Sequence, residues 1–316
     1  MKDYMLYYKK PSITPRTFEH QMRNFYLHIY DKIGNMKLYE VKPIIIQKLF
    51  NEMLDNNYSL ATTRKIKFLL NQFFKYAKSQ NLVNENPVSQ TILKSRERKI
   101  YDSENEYKAI PVKARDEFIL ALNDHKFLKP LCLTMMFAGL RIGEVLALKW
   151  ENINFETKEI IINKSITYIP KFDENGNKIN SKTVISETKT ACSIREVPIP
   201  DILIDALDEY KTNRYFEGLK HNINLISDDS LIFGNTDNTL RTYGGCKNIL
   251  KRFLKSHGLE KYKIHFHGLR HTYSNILFEA NKNPKVIQAL LGHKSVSTTI
   301  KTYNSVDKTY FKQLMF

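Results

Sequence analysis

The chain has 316 residues, 42% of them hydrophobic and 26% charged, which is length and composition for two globular domains and excludes collagen-like and disordered classes. Its net charge of +16 favours a polyanionic partner, nucleic acid ahead of an acidic membrane surface. Cys132, Cys192 and Cys246 are odd in number and far apart, which argues against a disulfide framework or a cysteine metal centre. With no signal-like leader and no apolar run near the roughly 18–20 residues of a membrane span, the expected compartment is the cytoplasm.

Residues 1–90 read as helices. In "SITPRTFEHQMRNFYLHIY", Thr14 is a cap and Pro15 the first helical position. Phe18, Met22, Phe25 and Ile29 follow at helical spacing. "VKPIIIQKLFNEML" gives a second helix with Pro43 near its start. "SLATTRKIKFLLNQFFKYAKSQN" gives a third, with Ile66, Leu69, Leu70, Phe73, Phe74 and Ala77 as one apolar stripe. Thr62, Thr63, Arg64, Lys65 and Lys67 cluster near the start of that third helix, where they can meet phosphates. These 90 residues hold 14 Lys and Arg against 7 Asp and Glu, so basic charge is denser here than in the rest of the chain.

"NENPV" at 84–88 ends the helical unit. Residues 91–105 read as a basic interdomain linker that contains Arg96, Arg98 and Lys99, and a second domain occupies 106–316. It opens with helical patterns in "PVKARDEFILAL", "FLKPLCLTMMFAGL" and "RIGEVLALKW". The β-rich runs "KEIIINKSITYI" and "KTVISETKTACSIREVPIP" come next. They are expected to form an antiparallel hairpin with a long excursion at 163–188 that turns at Asn175-Gly176-Asn177. Helices resume after Pro200. The fold class expected is mainly α with a small antiparallel β-sheet.

Several short stretches can carry chemistry. In "AGLRIGEVLALKW", Gly139 breaks one helix and Arg141 opens the next. Glu144 lies one turn on, placed to hold the guanidinium. Lys189 sits in the β-rich region. In "HFHGLRHT", His267 and His271 are four residues apart, the spacing of a helical zinc pair. Spacing alone leaves metal and anion binding both open. Arg270 between the histidines repels a cation, and no Asp or Glu follows before Glu279, so the balance favours an anion site near a helix start. In "NPKVIQALLGHKS", Gly292 stops a helix and His293 follows directly; "TTIKTYNSV" then presents Tyr303.

Taken together and in this order, Arg141-x-x-Glu144, Lys189, His267-x-x-Arg270-His271, Leu291-Gly292-His293 and Tyr303 resemble the tyrosine recombinase (phage integrase) family, over essentially the whole chain. The resemblance implies a two-domain clamp, with a helical core-binding domain at 1–90 and a catalytic domain at 106–316. It implies site-specific cutting and rejoining of double-stranded DNA through a covalent 3′-phosphotyrosine, for integration or excision of a mobile element. A catalytically inactive DNA-binding relative and a type IB topoisomerase-like enzyme are the alternatives. By the same resemblance, Arg141, Arg270 and His293 bind the scissile phosphate and His267 assists proton transfer. Lys189, with Lys182 as the alternative, protonates the leaving 5′-oxygen; Tyr303 is the nucleophile and Glu144 a support. His271 is structural, and His265 has no assignment. No metal or other cofactor is expected. The expected partners are DNA and further copies of the chain in a tetramer, with the tail "DKTYFKQLMF" exchanged between subunits. The expected location is cytoplasmic, at the nucleoid. Relatives often carry an additional N-terminal arm-site domain, so the chain is expected to be a simpler recombinase or a piece of a longer one.

Overall fold

Thr14 accepts a hydrogen bond from the Thr17 N–H and Pro15 occupies the first helical position, so the first long helix starts where the sequence places its cap. The computed structural model describes residues 1–93, 109–187, 194–293 and 295. Lys189, Tyr303, Arg96, Arg98, Lys99 and the tail at 306–316 lie outside them. The chain divides into two compact units, Met1–Glu104 with Tyr168–Lys182, and Asn105–Thr167 with Thr183–Phe316.

The first unit begins with a π-helical stretch, Tyr4–Lys9, that runs into α1 (Lys10–Ser12). The helix α2 (Pro15–Phe25) continues through a second π-helical stretch into α3 (Asp31–Ile33). The longer helices α4 (Pro43–Asp55) and α5 (Leu60–Ser79) complete it. Ser59 caps α5 by accepting the Thr62 N–H at 3.1 Å. The periodic apolar residues supply the core: Phe18, Met22, Phe25 and Ile29 pack with Ile46 and Phe50 and with the α5 stripe. Tyr168–Lys182 lies within 106–316 in sequence but groups with these helices. Its Phe172 ring stands edge-on to Phe18 at 4.9 Å between centroids, and Lys178 pairs with Glu19 at 3.1 Å.

In the second unit, α6 (Val112–Leu122) leads to α7 (Leu128–Phe137), which is buried along most of its length, Lys129 reaching out to Glu209, and therefore central. The four-residue α8 (Ile142–Val145) follows. Strand β1 (Ile153–Asn154) pairs with β2 (Glu159–Ile162). The expected hairpin forms as a separate two-stranded sheet, β3 (Lys164–Phe172) with β4 (Lys178–Glu187), whose strands extend into the expected excursion. Asp173 accepts the Asn177 and Gly176 N–H groups at its turn, and Gly176 takes φ +79°. Strand β5 (Arg195–Pro198) then returns to pair antiparallel with β2, Ile160 opposite Val197 and Ile162 opposite Arg195, which closes a three-stranded sheet in the order β1-β2-β5.

Four helices finish the unit: α9 (Asp201–His221), α10 (Tyr243–Ser256), α11 (Phe266–Glu279) and α12 (Pro284–Leu291). Helix α7 packs against α9 and α11, while α12 packs against α11 and β5. The start of the unit is fastened to α11. The Ile110 N–H donates to Thr272 Oγ1 at 2.9 Å, and Arg115 grips Glu279 through both terminal nitrogens at 2.7 and 2.8 Å. Among the described residues, no helix is long and apolar enough to cross a membrane.

Gly139 ends α7 with φ +65°, and a methyl group added there would stand 2.2 Å from the Tyr273 ring. Gly139→Ala therefore combines a left-handed backbone with overpacking and is expected to cost about 2–4 kcal/mol. Urea unfolding of the variant would show this as a lowered midpoint.

Candidate active site

The turn made possible by Gly139 puts Arg141 at the N-cap of α8 and Glu144 at its third helical position. Glu144 is 2% exposed. A buried carboxylate is costly unless its lone pairs are filled, and here arginines fill them. Oε2 accepts the Arg141 backbone N–H at 2.9 Å and Oε1 accepts Arg141 Nη1 at 2.7 Å. Arg195, on β5, donates through Nη2 to Oε2 at 2.9 Å and through Nη1 to Oε1 at 3.4 Å. Arg270, on α11, brings Nη1 to 3.9 Å from Oε2.

The same three arginines also take the last carbonyls of α12, one each. Arg195 Nε donates to Leu290 O at 2.7 Å, Arg270 Nη2 to Leu291 O, and Arg141 Nη2 to Gly292 O at 3.3 Å. A helix C-terminus leaves carbonyls without intrahelical partners and carries partial negative charge, so cations are stabilising there. Arg270 Nη1 reaches back to Gly139 O at 2.5 Å. Gly292 adopts φ +61° to end α12, and His293 follows it, its backbone N–H donating to Gln288 O and its carbonyl accepting Gln288 Nε2. Two left-handed glycines, one after α7 and one after α12, thus bring Arg141 and His293 to the same cluster.

Electrostatically, three guanidiniums face one carboxylate. Burial raises the Glu144 carboxyl, but the hydrogen bond and charge of Arg195, the charge of Arg270 and the Arg141 amide outweigh it and hold the group below the usual carboxylate range. Burial and then the Arg141 charge push the Arg270 guanidinium down to about 9, still well above neutral pH. Two positive charges remain unmatched, in a place where Arg270 is 2% and Arg195 6% exposed, whereas the Arg141 side chain is 41% exposed. Such an arrangement is chemically suited to an anion at the Arg141 side.

His267 occupies the first turn of α11, and its ring stands edge-on to His271 at 4.5 Å between centroids. Burial lowers the pKa of all three histidines, His267 and His293 further through Arg270 and Arg141 and His271 further through His267 and then Arg270: His267 falls below its usual value, His271 to about 4 and His293 to about 3. His265 stands at the N-cap position of α11 with Nδ1 3.2 Å from Lys263 O. Thr272 is fully buried, accepting the Ile110 N–H and donating to Gly268 O. Among the described residues, no group of three or more His, Cys, Asp or Glu is arranged to hold a metal ion.

The structure thus brings together Arg141, Glu144, Arg270 and His293, with His267 within range of the Arg270 charge. Arg195 joined them without having been singled out in the sequence. The available signal was phase: Arg195 lies two residues before the buried Val197, so it shares that strand's inward face. In the first unit, Arg64 and Lys65 are exposed and Thr62 half-buried. Thr63 is fully buried with its hydroxyl on Ser59 O, and Lys67 donates its ammonium to Thr91 O at 2.6 Å. Of the set expected to meet phosphates, Arg64 and Lys65 are the exposed members. Lys182 is exposed on β4.

Comparison with known proteins identifies the family. Residues 104–309 match the phage integrase family and residues 1–54 its N-terminal SAM-like domain. A tyrosine recombinase XerC-like protein of Caldanaerobacter subterraneus subsp. tengcongensis is 34% identical over 92% of this chain and 74% of its own length. The ICEBs1 integrase of Bacillus subtilis is 26% identical over 92% of this chain and 73% of its own. Among solved structures, the Tn1549 transposon integrase in complex with transposon right end DNA superposes with a TM-score of 0.72, at 19% identity and full coverage of both chains. A lambda integrase dimer bound to a core site gives 0.64, covering 96% of this chain and 76% of its own. The chain belongs to the phage integrase family of tyrosine recombinases. It is a DNA-binding, site-specific recombinase.

Every shift in the cluster's histidines and in Glu144 is downward, so the folded chain binds fewer protons than the unfolded one. Stability is complete above the unfolded values, about 6.5 for histidine and about 4.3 for glutamate, and is lost as pH falls towards the folded ones. Unfolding free energy is expected to decline as pH drops from 7 to 4, and His293→Gln to flatten part of that slope; urea titrations at a series of pH values measure both.

Proposed function

We propose that the cluster binds the scissile phosphate of DNA and that Tyr303 attacks it. The observation that carries this reading is the excess of two positive charges around buried Glu144, open at Arg141. Arg141 and Arg270 neutralise the non-bridging oxygens as charge builds in the five-coordinate state, with His293 as a third donor. Tyr303 has a hydroxyl whose ordinary pKa is near 10, so it attacks as its proton is taken. His267, neutral at pH 7 beside Arg270, assists that proton transfer. A bond forms between the Tyr303 oxygen and phosphorus, the bond to the 5′-oxygen breaks, and Lys189 delivers a proton to that departing oxygen, which leaves as the 5′-hydroxyl. The 3′-phosphotyrosine keeps the bond energy, and a 5′-hydroxyl from a second duplex reverses the step and joins the strands.

In this reading residues 1–90 are a core-binding domain, 91–105 a linker and 106–316 the catalytic domain. Arg64 and Lys65 on α5, with Thr62 beside them, contact the DNA backbone, and the linker's Arg96, Arg98 and Lys99 follow it. The work done is integration and excision of a mobile element. That is supported by the kinship with the ICEBs1 integrase and the likeness to a transposon integrase seen with its DNA. Four copies assemble on DNA and exchange residues 306–316, as the lambda integrase tetramer on a Holliday junction suggests for the assembly.

A nicked duplex carrying the element's own end sequence tests the chemistry. The protein is expected to form a covalent adduct on denaturing gels in the presence of EDTA. Tyr303→Phe removes the adduct and Arg270→Lys slows it by about 10²–10³. Adduct from Tyr303→Phe, or loss on chelation, would refute the mechanism.

A further inference from the structure

Arg195 differs from the other two arginines in what its nitrogens do. All three are occupied by the protein: Nε on Leu290 O, Nη1 and Nη2 on the two oxygens of Glu144. It is 6% exposed, against 41% for Arg141. A guanidinium so committed has no fork to offer a phosphate. The geometry points to Arg195 as a positioning residue for strand cleavage, acting through Glu144 and the end of α12. This rests on the reading of the cluster as the phosphate site.

The physical argument has three parts. First, Glu144 has two oxygens and Arg141 meets both, one through its backbone N–H and one through Nη1. By donating to both oxygens as well, Arg195 fixes the carboxylate plane. Arg141 is then held through Nη1 on the carboxylate and Nη2 on Gly292 O. Second, the Arg195 charge helps keep the buried Glu144 ionised, and an ionised Glu144 is what keeps Arg141 and Arg270 close together despite their repulsion. Third, Leu290 lies three residues before His293, so the bond from Nε joins β5 to the helix end that presents that histidine. One side chain therefore sets the orientation of donors on α8 and at the end of α12. A lysine can replace its charge but cannot span Glu144 and Leu290 O at once.

Single-turnover adduct formation on the nicked element-end duplex, at saturating protein, reads this directly, alongside DNA affinity and thermal unfolding. Arg195→Met is expected to slow cleavage by about 10–100-fold, the usual effect of removing a partner that orients a working group, with DNA affinity within about twofold of wild type. Arg195→Lys restores part of the rate. Glu144→Gln with Arg195→Met is no slower than the slower single variant, because both act through one carboxylate. If Arg195→Met fails to fold, Arg195→Lys decides: folded, DNA-bound and at least about fivefold slow upholds the role, and wild-type speed overturns it. Losses that multiply in the double variant, or that appear wholly in DNA affinity, also overturn it. Wild-type protein that binds this DNA and forms no adduct overturns the cleavage reading and, with it, Arg195's part in it. A wild-type adduct with unimpaired Arg195 variants overturns the inference alone.

Discussion

A single buried carboxylate organises the second unit. Glu144 is held by Arg141 and Arg195 and lies 3.9 Å from Arg270, and none of the three arginines would be stable so near the others without it. Three guanidiniums repel, and burial weakens the water that would screen them. One carboxylate relieves part of that repulsion and leaves two charges over. A cluster neutral in itself would pack better, and one with no anion at all would not close. The excess is what a phosphate ester, gaining negative charge as it reacts, can complete.

The second stabilising element is the end of α12. Its final carbonyls have no helical partners, and each is taken by a different arginine, so the helix terminus adds acceptors where more carboxylates would have cancelled the positive charge. This arrangement needs two backbone reversals that a side chain would resist. Gly139 at φ +65° lets α7 stop against Tyr273 and turn into Arg141, and Gly292 at φ +61° turns α12 into His293. The central, largely buried α7 and the fastening of Ile110 and Arg115 to α11 hold the frame on which these turns are placed.

The first unit shows a different division of labour. Its apolar stripes pack among themselves, and its basic residues split into two kinds. Lys67 closes the unit by binding Thr91 O, while Arg64 and Lys65 stay exposed at the start of α5. Charge in a sequence does not tell these apart, because a lysine stem can bury itself along apolar surface and give its ammonium to a carbonyl nearby.

Much was legible in the sequence by itself. Caps, prolines and 3.6-residue periodicity set α2, α4 and α5, since those signals act within one or two turns of chain. Gly139 and Gly292 marked the helix breaks for the same local reason. The order of Arg141, His267, Arg270, His293 and Tyr303 was enough to point to the family. The β-rich runs and the turn at Asn175-Gly176-Asn177 were legible as a hairpin, while its separation as the β3–β4 sheet, with β5 returning to β2, needed the partner strands. What the tertiary structure alone decided is which charges meet. Arg195 is 51 residues from Glu144 and 95 from Leu290, and no periodicity connects positions so distant. Glu144, one turn from Arg141 in sequence, is a buried hub only because β5, α11 and α12 close over it, since burial and Coulomb coupling depend on distance in space, which sequence spacing does not encode.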